Sequence, residues 1–522
     1  MKKHTWITWS MLLLVALYTR TYNLGWGLPF LFHPDERNMA VAASSLSFST
    51  MLDPHFYAYN QFPLYITFFL NLLTGAPLTV VRATILLRIL SAVASIGSIY
   101  LWSRLLINMK IGKPMRMIGI LIFICTPVFI QLSHFGTTES LLIFLFLLCL
   151  VFIKNPKIVG IAIGLSIATK MSSLQLFALP VLYSLHAVYT RKIPLKNMLT
   201  YLISIVGISF IFAVCFSPHL LLSYQKTLDA LHYETAVGMG TLPVFYTQQF
   251  IGTHPVVFQI FSIFPYALGV PMVIISIIGL LYIVFRNPLY AAFFAVLFIP
   301  NAFLFAKWTR FIIYPYVLME LAAVLVMQRI YTTRIFKPLV YVVLLYQLLI
   351  GIAYVGVYSY PDVRVKATEW VNHTVPAGST IITEGANVTD IPLYSSNDYR
   401  ITSLFLYDIE NDTSVQSQLS RAVQTSDYVI VPSRRVFADT TCVFQKQDTL
   451  WKNCSIQQKK NPILTKYYTD LLSEKSFKLI AQFSSYPRIE IAGKTFFSIP
   501  DEQAEETWSV FDHPVVRIYK KR

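Results

Sequence analysis

The sequence predicts a multi-pass α-helical membrane protein, with about 11 transmembrane helices in residues 1–357 and a mixed α/β extracytoplasmic domain in residues 358–522. Three observations predict it. The chain is 55% hydrophobic and only 13% charged, roughly half the charge fraction of an ordinary soluble domain. Residues 1–355 hold 23 Lys and Arg against seven carboxylates, whereas the remainder carries 19 of each sign. Finally, the first part contains eleven apolar runs long enough, or nearly so, to cross a bilayer.

The runs lie near 6–22, 80–106, 115–132, 138–153, 157–169, 173–189, 198–217, 265–285, 289–305, 310–328 and 337–357. Starting inside with Lys2 and Lys3, alternate connections carry the basic residues: Arg104 to Arg116, Lys154 and Lys157, Arg191 to Lys196, Arg286, then Arg329 to Lys337. That alternation is the positive-inside pattern. It implies a cytoplasmic N-terminus in the plasma membrane and, because eleven is odd, an outer C-terminal domain. The excess positive charge is thereby assigned to the membrane part, which argues against a nucleic-acid partner. Lys2 and Lys3 before an apolar stretch also suit a signal peptide. No small-x-small cleavage site follows and Arg20 ends the run, so the first run reads as a retained anchor.

Cys125, Cys149 and Cys215 lie in apolar runs and read as small hydrophobes. Cys442 and Cys454 enclose a short polar segment of the outer domain and suit a disulfide in an oxidising compartment. Sequons begin at Asn372, Asn387, Asn411 and Asn453; such triplets arise readily by chance and carry no conclusion. The outer domain reads as mixed α/β, with helices over 364–371 and 463–475 and strands at 380–383, 428–432 and 515–519.

Two long outer connections, 23–79 and 218–264, hold most of the remaining polar chemistry. The first opens with His33-Pro34-Asp35-Glu36-Arg37, where Pro34 stops helix continuation and places the acidic pair at the outer surface. Residues 36–51 and 61–74 read as short interfacial helices. Glu139 starts another helix after an outer turn containing His134, while Lys170, Lys307 and Arg310 place cations on the side that should lack them. Carboxylates beside out-of-place cations suit a site that binds an anion and does acid/base work. Taken singly, Glu139 has an ordinary role in a first helical turn. Glu320 falls within an apolar run and reads as a structural bond to a neighbouring helix. The 218–264 connection, with Asp229, His232, Glu234 and His254, reads equally as a packed cap or as a lid over substrate.

Several stretches resemble the GT-C glycosyltransferases, membrane enzymes that use sugars carried on polyprenyl phosphates. They are Asp35-Glu36 after the first run, Tyr59 to Tyr65, Leu87 to Ser91, Pro127 to Glu139, Gly164 to Lys170, Ser217-Pro218, Tyr233 to Pro255, Arg310 to Pro315, and Asp512 to Val516. Within that group the chain most resembles the protein O-mannosyltransferases and their bacterial relatives, with aminoarabinose transferases more distant. The resemblance implies inverting transfer from a polyprenyl-phosphate-linked donor to an extracytoplasmic protein, lipid or glycan acceptor, with membrane lipids as surroundings. It implies that Asp35 is the general base, that Glu36 supports it or binds the acceptor, and that Lys307 and Arg310 hold the lipid phosphate. Arg37, His134, Glu139, Lys170 and His254 complete the expected substrate-binding set.

Where aminoarabinose transferases have an acidic residue and a lysine before a Pro-Pro pair, this chain has Asn60, Gln61, Phe62 and Pro63. No obligatory cofactor follows, although His33, His134, His232 and His254 keep a divalent metal open. The lack of a Trp-Trp-Asp motif in the outer domain disfavours the oligosaccharyltransferase branch. A transporter or lipid flippase remains the alternative, but it would show internal repeats and midplane charges. A glycan ligase or polymerase is a third option.

Overall fold

The computed structural model describes residues 2–385, 391–393, 398–443 and 453–522. The sequon at Asn387 and the segment 444–452 between the two outer cysteines lie outside the described residues. Every apolar run coincides with a helix. After α1 (Lys2–Thr21) come two short helices, α2 (Pro34–Ser44) and α3 (Phe62–Leu72), then α4 (Val80–Asn108), α5 (Lys113–Cys125) and α6 (Pro127–His134). Next are α7 (Glu139–Val151), α8 (Pro156–Thr169), α9 (Ala178–Tyr189), α10 (Leu195–Phe216) and the outer helix α11 (Tyr224–Met239). The membrane part closes with α12 (Val270–Arg286), α13 (Pro288–Ala302), α14 (Ile313–Thr332) and α15 (Lys337–Val355).

Five segments are long and apolar enough to cross a membrane alone: Val80–Asn108, Met171–Tyr189, Leu195–Phe216, Thr309–Thr332 and Lys337–Ser359. Two bent pairs raise this to seven among the described residues, α5 with α6 at 49° and Gln259–Ala267 with α12 at 115°. The α5–α6 bend falls at Pro127, which cannot donate into the preceding turn. Helices α7, α8 and α13 have 13, 14 and 15 residues, short of the ~20 that a straight crossing needs. The expectation of about eleven spans counted these short runs and α1 as crossings.

Helix starts follow local chemistry. Thr79 accepts from the Arg82 N–H to cap α4, and Asn155 accepts from Lys157 and Ile158 to cap α8. Small residues set the packing. Gly160 and Gly164 let α8 lie directly on Ile208 and Ser209 of α10, and Gly279 brings α12 against the Ala322 backbone of α14. In the Thr309–Thr332 span 83% of the apolar window is buried, whereas in Leu195–Phe216 it is 17%. Helix α14 is therefore the centre of the bundle, and α10 presents Leu199, Ile203 and Ile211 outward. Glu320 on α14 hydrogen-bonds the Thr126 hydroxyl at the α5–α6 bend, the structural bond expected of it. Arg20 of α1 is fully buried and donates to Ser95 at 2.9 Å and to the Phe123 carbonyl at 3.2 Å, so α1 is part of the bundle.

The C-terminal domain, expected on the outer side, holds a five-stranded sheet of order β2-β1-β3-β7-β4, with β1 (Thr380–Glu384), β2 (Arg400–Leu404), β3 (Tyr428–Val431), β4 (Phe477–Phe483) and β7 (Val516–Lys521). The pair β5 (Arg488–Ile491) and β6 (Lys494–Ser498) forms a separate hairpin. Strands β1, β2 and β3 are parallel, and β7 runs antiparallel to both β3 and β4. Alternation splits the sheet cleanly. Ile382, Val429, Val431 and Tyr519 pack toward Leu419 and Tyr468, while Ile381, Ile430, Val516 and Ile518 pack toward Val363 and Val371. Helices thus cover both faces. Cys442 and Cys454 form the expected disulfide.

The outer domain is not tethered loosely. Its segment 501–513 enters the membrane part, where Ala504 and Trp508 join the main hydrophobic core. Gln131 of α6 donates to the Trp508 carbonyl at 2.7 Å and to Asp512 at 3.2 Å, and the Tyr358 hydroxyl donates to Asp512 at 2.8 Å. His513 sits between Asp501 and Asp512 at 2.9 and 2.6 Å. These bonds explain why Asp512 and His513 stand together in the sequence.

Candidate functional site

Asp35 and Glu36 are neighbours in sequence but do different work. Helix α2 begins at Pro34, whose missing N–H costs nothing at a helix start, and His33 caps it by accepting from the Glu36 N–H at 3.4 Å. The helical turn then sends the two carboxylates apart. Asp35 is partly exposed and pairs with Arg310. Glu36 is fully buried and accepts from Arg88 Nε and Nη2 at 2.7 Å each and from the Gly136 N–H at 2.6 Å. The same guanidinium donates to the Leu24 and Trp26 carbonyls at 2.8 and 2.7 Å. Glu36 lines neither cavity of the site, because this bidentate pair locks α2 onto α4.

Two cavities meet at Glu139 and Arg310, which line both. The smaller, of about 30 Å³, contains Asp35 beside His33, Thr309, Thr507 and Phe511. The larger, of about 350 Å³, has a polar end with Tyr59, Lys170 and Glu234 and an apolar remainder with Leu174, Leu231 and Phe311. Lys170 pairs with Glu139 at 3.4 Å and lies 4.8 Å from the centre of the Tyr59 ring. Arg310 rests over the Trp308 ring at 5.3 Å, and its Nε has no hydrogen-bond partner among the described residues. Burial lifts the Glu234 carboxyl above its ordinary range, with Lys170 opposing. His33 is sandwiched between Phe135 and Phe511 at 4.6 and 4.4 Å. Burial, followed by the charges of Arg310, Arg88, Arg364 and Arg435, holds its imidazole well below the usual 6.5. It is neutral at physiological pH.

The other expected residues fall elsewhere. His134 is stacked on Tyr358 with centroids 3.8 Å apart, and its ring nitrogens contact the Ile130 and Tyr22 carbonyls at 2.8 and 3.0 Å. Both nitrogens meet backbone carbonyls, and the ring lines neither of the two cavities. Lys307 is buried and donates to the Phe305 carbonyl at 3.0 Å, outside both cavities; burial pushes its ammonium down to about 8. Arg37 is half-buried and His254 exposed, and neither lines a cavity. Among the described residues no group of three or more His, Cys, Asp or Glu has the arrangement of a metal site. Sequence reasoning singled out the stretch Leu87 to Ser91 but gave Arg88 no role, and it missed Glu505. Arg88 is one of three arginines in the 29-residue helix α4, and its place inside the apolar stretch, away from the ends, was a usable signal. Glu505 had none, since its partners lie up to 256 residues away.

Fold and site together define a polytopic membrane protein whose C-terminal α/β domain packs against a carboxylate–arginine centre. Solved structures similar to it include GT-C glycosyltransferases. Among them is the Archaeoglobus fulgidus oligosaccharyltransferase tethered to an acceptor peptide, at 11% identity and a TM-score of 0.47 over 98% of this chain and 88% of that one. ArnT from Cupriavidus metallidurans bound to undecaprenyl phosphate is similar at 11% identity and 0.47, over 99% and 98%. The arabinofuranosyltransferase AftD from Mycobacteria is similar at 13% and 0.34, over 98% and 41%. No family model matches the chain, and no curated protein matches it.

Proposed function

We propose that this protein is an inverting glycosyltransferase that moves a sugar from a polyprenyl-phosphate donor to an acceptor outside the cytoplasm. The observation that carries the reading is Arg310, which pairs with Asp35 in the small cavity and also lines the large one. In this reading the donor phosphate and sugar occupy the polar end of the large cavity, whose volume is in the range of ligand sites, about 300–1,000 Å³. The apolar remainder takes the first part of the lipid. The acceptor hydroxyl enters the small cavity and attacks the anomeric carbon from the Asp35 side. The bond from that carbon to the phosphate oxygen breaks, its electron pair leaves with the phosphate, and the acceptor proton passes to Asp35. Arg310 neutralises the departing phosphate, while Glu139 and Lys170 hold sugar hydroxyls. The N-terminus lies in the cytoplasm, and residues 358–522 form the extracytoplasmic domain.

The test is transfer from radiolabelled polyprenyl-phosphate sugars in membranes, with acceptors resolved into protein, lipid and glycan. Asp35→Asn is expected to lower transfer by about 10²–10⁴-fold, the range for loss of a general base, with protein level unchanged. Undiminished transfer would refute Asp35 as the base. A wild type that transfers nothing would move a lipid flippase or transporter ahead.

A further inference from the structure

The segment carrying Arg310 is fixed from the outer domain, through one carboxylate. Glu505 is 1% exposed. Its Oε2 accepts from the Thr309 N–H at 3.1 Å, the Thr309 hydroxyl at 2.9 Å and the Thr507 hydroxyl at 2.6 Å. Its Oε1 accepts from Gln249 Nε2 at 3.1 Å and the Thr507 N–H at 3.0 Å. Five donors converge on one side chain, so the place demands a group that only accepts. Gln249 in turn accepts from the Glu506 N–H at 3.1 Å, and Arg435 pairs with Glu506 at 3.1 Å. Thr309, which supplies two of these five donors, immediately precedes Arg310, and both line the small cavity with Thr507 and Phe511 of the same outer segment.

We infer that Glu505 is the positioning residue that sets Arg310 at the junction of the two cavities, so the outer domain completes the centre and does not merely cap it. The inference rests on the glycosyltransferase reading only for its kinetic consequence. Without the carboxylate, the Thr309 N–H and hydroxyl lose their common acceptor and the Thr309–Arg310 turn loses its fixed height. Arg310 then no longer meets Asp35 and the large cavity together. A side chain that acts through another has no effect once the other is gone, which distinguishes this role from general stabilisation.

The experiment combines Glu505→Gln and Thr309→Val with Arg310→Lys in full-length protein. Sugar transfer is measured with the fluorescence of Trp308, isolated by subtracting spectra of matched Trp308→Phe proteins. Glu505→Gln is expected to reduce transfer about tenfold and red-shift the Trp308 emission. Thr309→Val moves both in the same direction by less, and serves if Glu505→Gln does not fold. In the Arg310→Lys background, Glu505→Gln is expected to change transfer by less than about twofold. An unshifted Trp308 with normal transfer overturns the inference, as does an equal loss in both backgrounds. If the wild type moves no sugar but Trp308 still shifts, the catalytic reading falls and the positioning role stands.

Discussion

The pair formed by Glu36 and Arg88 allows its structural role to be separated from chemistry by an asymmetry in cost. Glu36 receives three donors, two from Arg88 and one from Gly136, and Arg88 also serves two carbonyls that have no other partner in that turn. Breaking a buried pair by removing one member costs about 3–5 kcal/mol, because the other charge stays behind uncompensated. In Glu36→Gln, Arg88 keeps both carbonyls and gains a neutral acceptor, so the loss falls near the lower end. In Arg88→Met, Glu36 retains only the Gly136 N–H, and the Leu24 and Trp26 carbonyls are orphaned at about 1–3 kcal/mol each. That loss exceeds the upper end. The assay is unfolding of purified protein in mixed micelles of dodecyl maltoside and SDS, followed by circular dichroism, with transfer measured on the same preparations. Both variants lose transfer because α2 no longer presents Asp35. A Glu36→Gln protein that unfolds like wild type yet transfers nothing would refute the reasoning and make Glu36 a participant in the chemistry.

Four further outcomes follow. Lys307 has a folded pKa of about 8 against 10.5 for the free side chain, so between those values the unfolded chain binds the extra proton and stability rises with pH. Lys307→Met is expected to abolish that rise, which pH-dependent unfolding between pH 7.5 and 10.5 reads directly. Glu139→Gln and Lys170→Gln each break the 3.4 Å pair in the large cavity; each is expected to raise the donor KM, and the double variant less than the product of the two. Gly279→Val forces a side chain into the Ala322 backbone and is expected to abolish folded protein, scored by gel filtration in detergent. Replacing Cys442 and Cys454 by Ser is expected to cost the outer domain up to about 3 kcal/mol, as for a loop of this length. Transfer at 25 °C is retained.

What could be read from the chain followed from how local each signal is. Short runs rich in β-branched and aromatic residues at 428–432 and 515–519 marked strands that pair in the sheet, and Pro34 marked a break in the helix, whereas the bend at Pro127 was not read from the single apolar run 115–132. Placing Asp35, Glu139, Lys170 and Arg310 in one neighbourhood needed only their common side of the membrane pattern. Division of labour within Asp35-Glu36 did not follow, because adjacent residues on a helix diverge by about 100° and only the partner across the turn, Arg88, decides which one is buried. Lys307 and Arg310 looked equivalent as cations. Three residues of backbone turn one into a cavity and the other onto a carbonyl. The grip of Glu505 on Thr309 is long-range, so no window of sequence contains it.

Segment 501–513 also imposes a timetable on biogenesis. A ribosome delivers the apolar runs in order, and all of them have left it before this stretch is made. The inserted bundle therefore spends the whole synthesis of residues 358–500 without Ala504 and Trp508 in its core and without Thr507 and Phe511 beside Asp35. A ribosome stalled anywhere in that interval leaves a bundle in the bilayer that lacks part of its centre. Competence arrives late in translation, once the outer domain has folded far enough to seat its last turn.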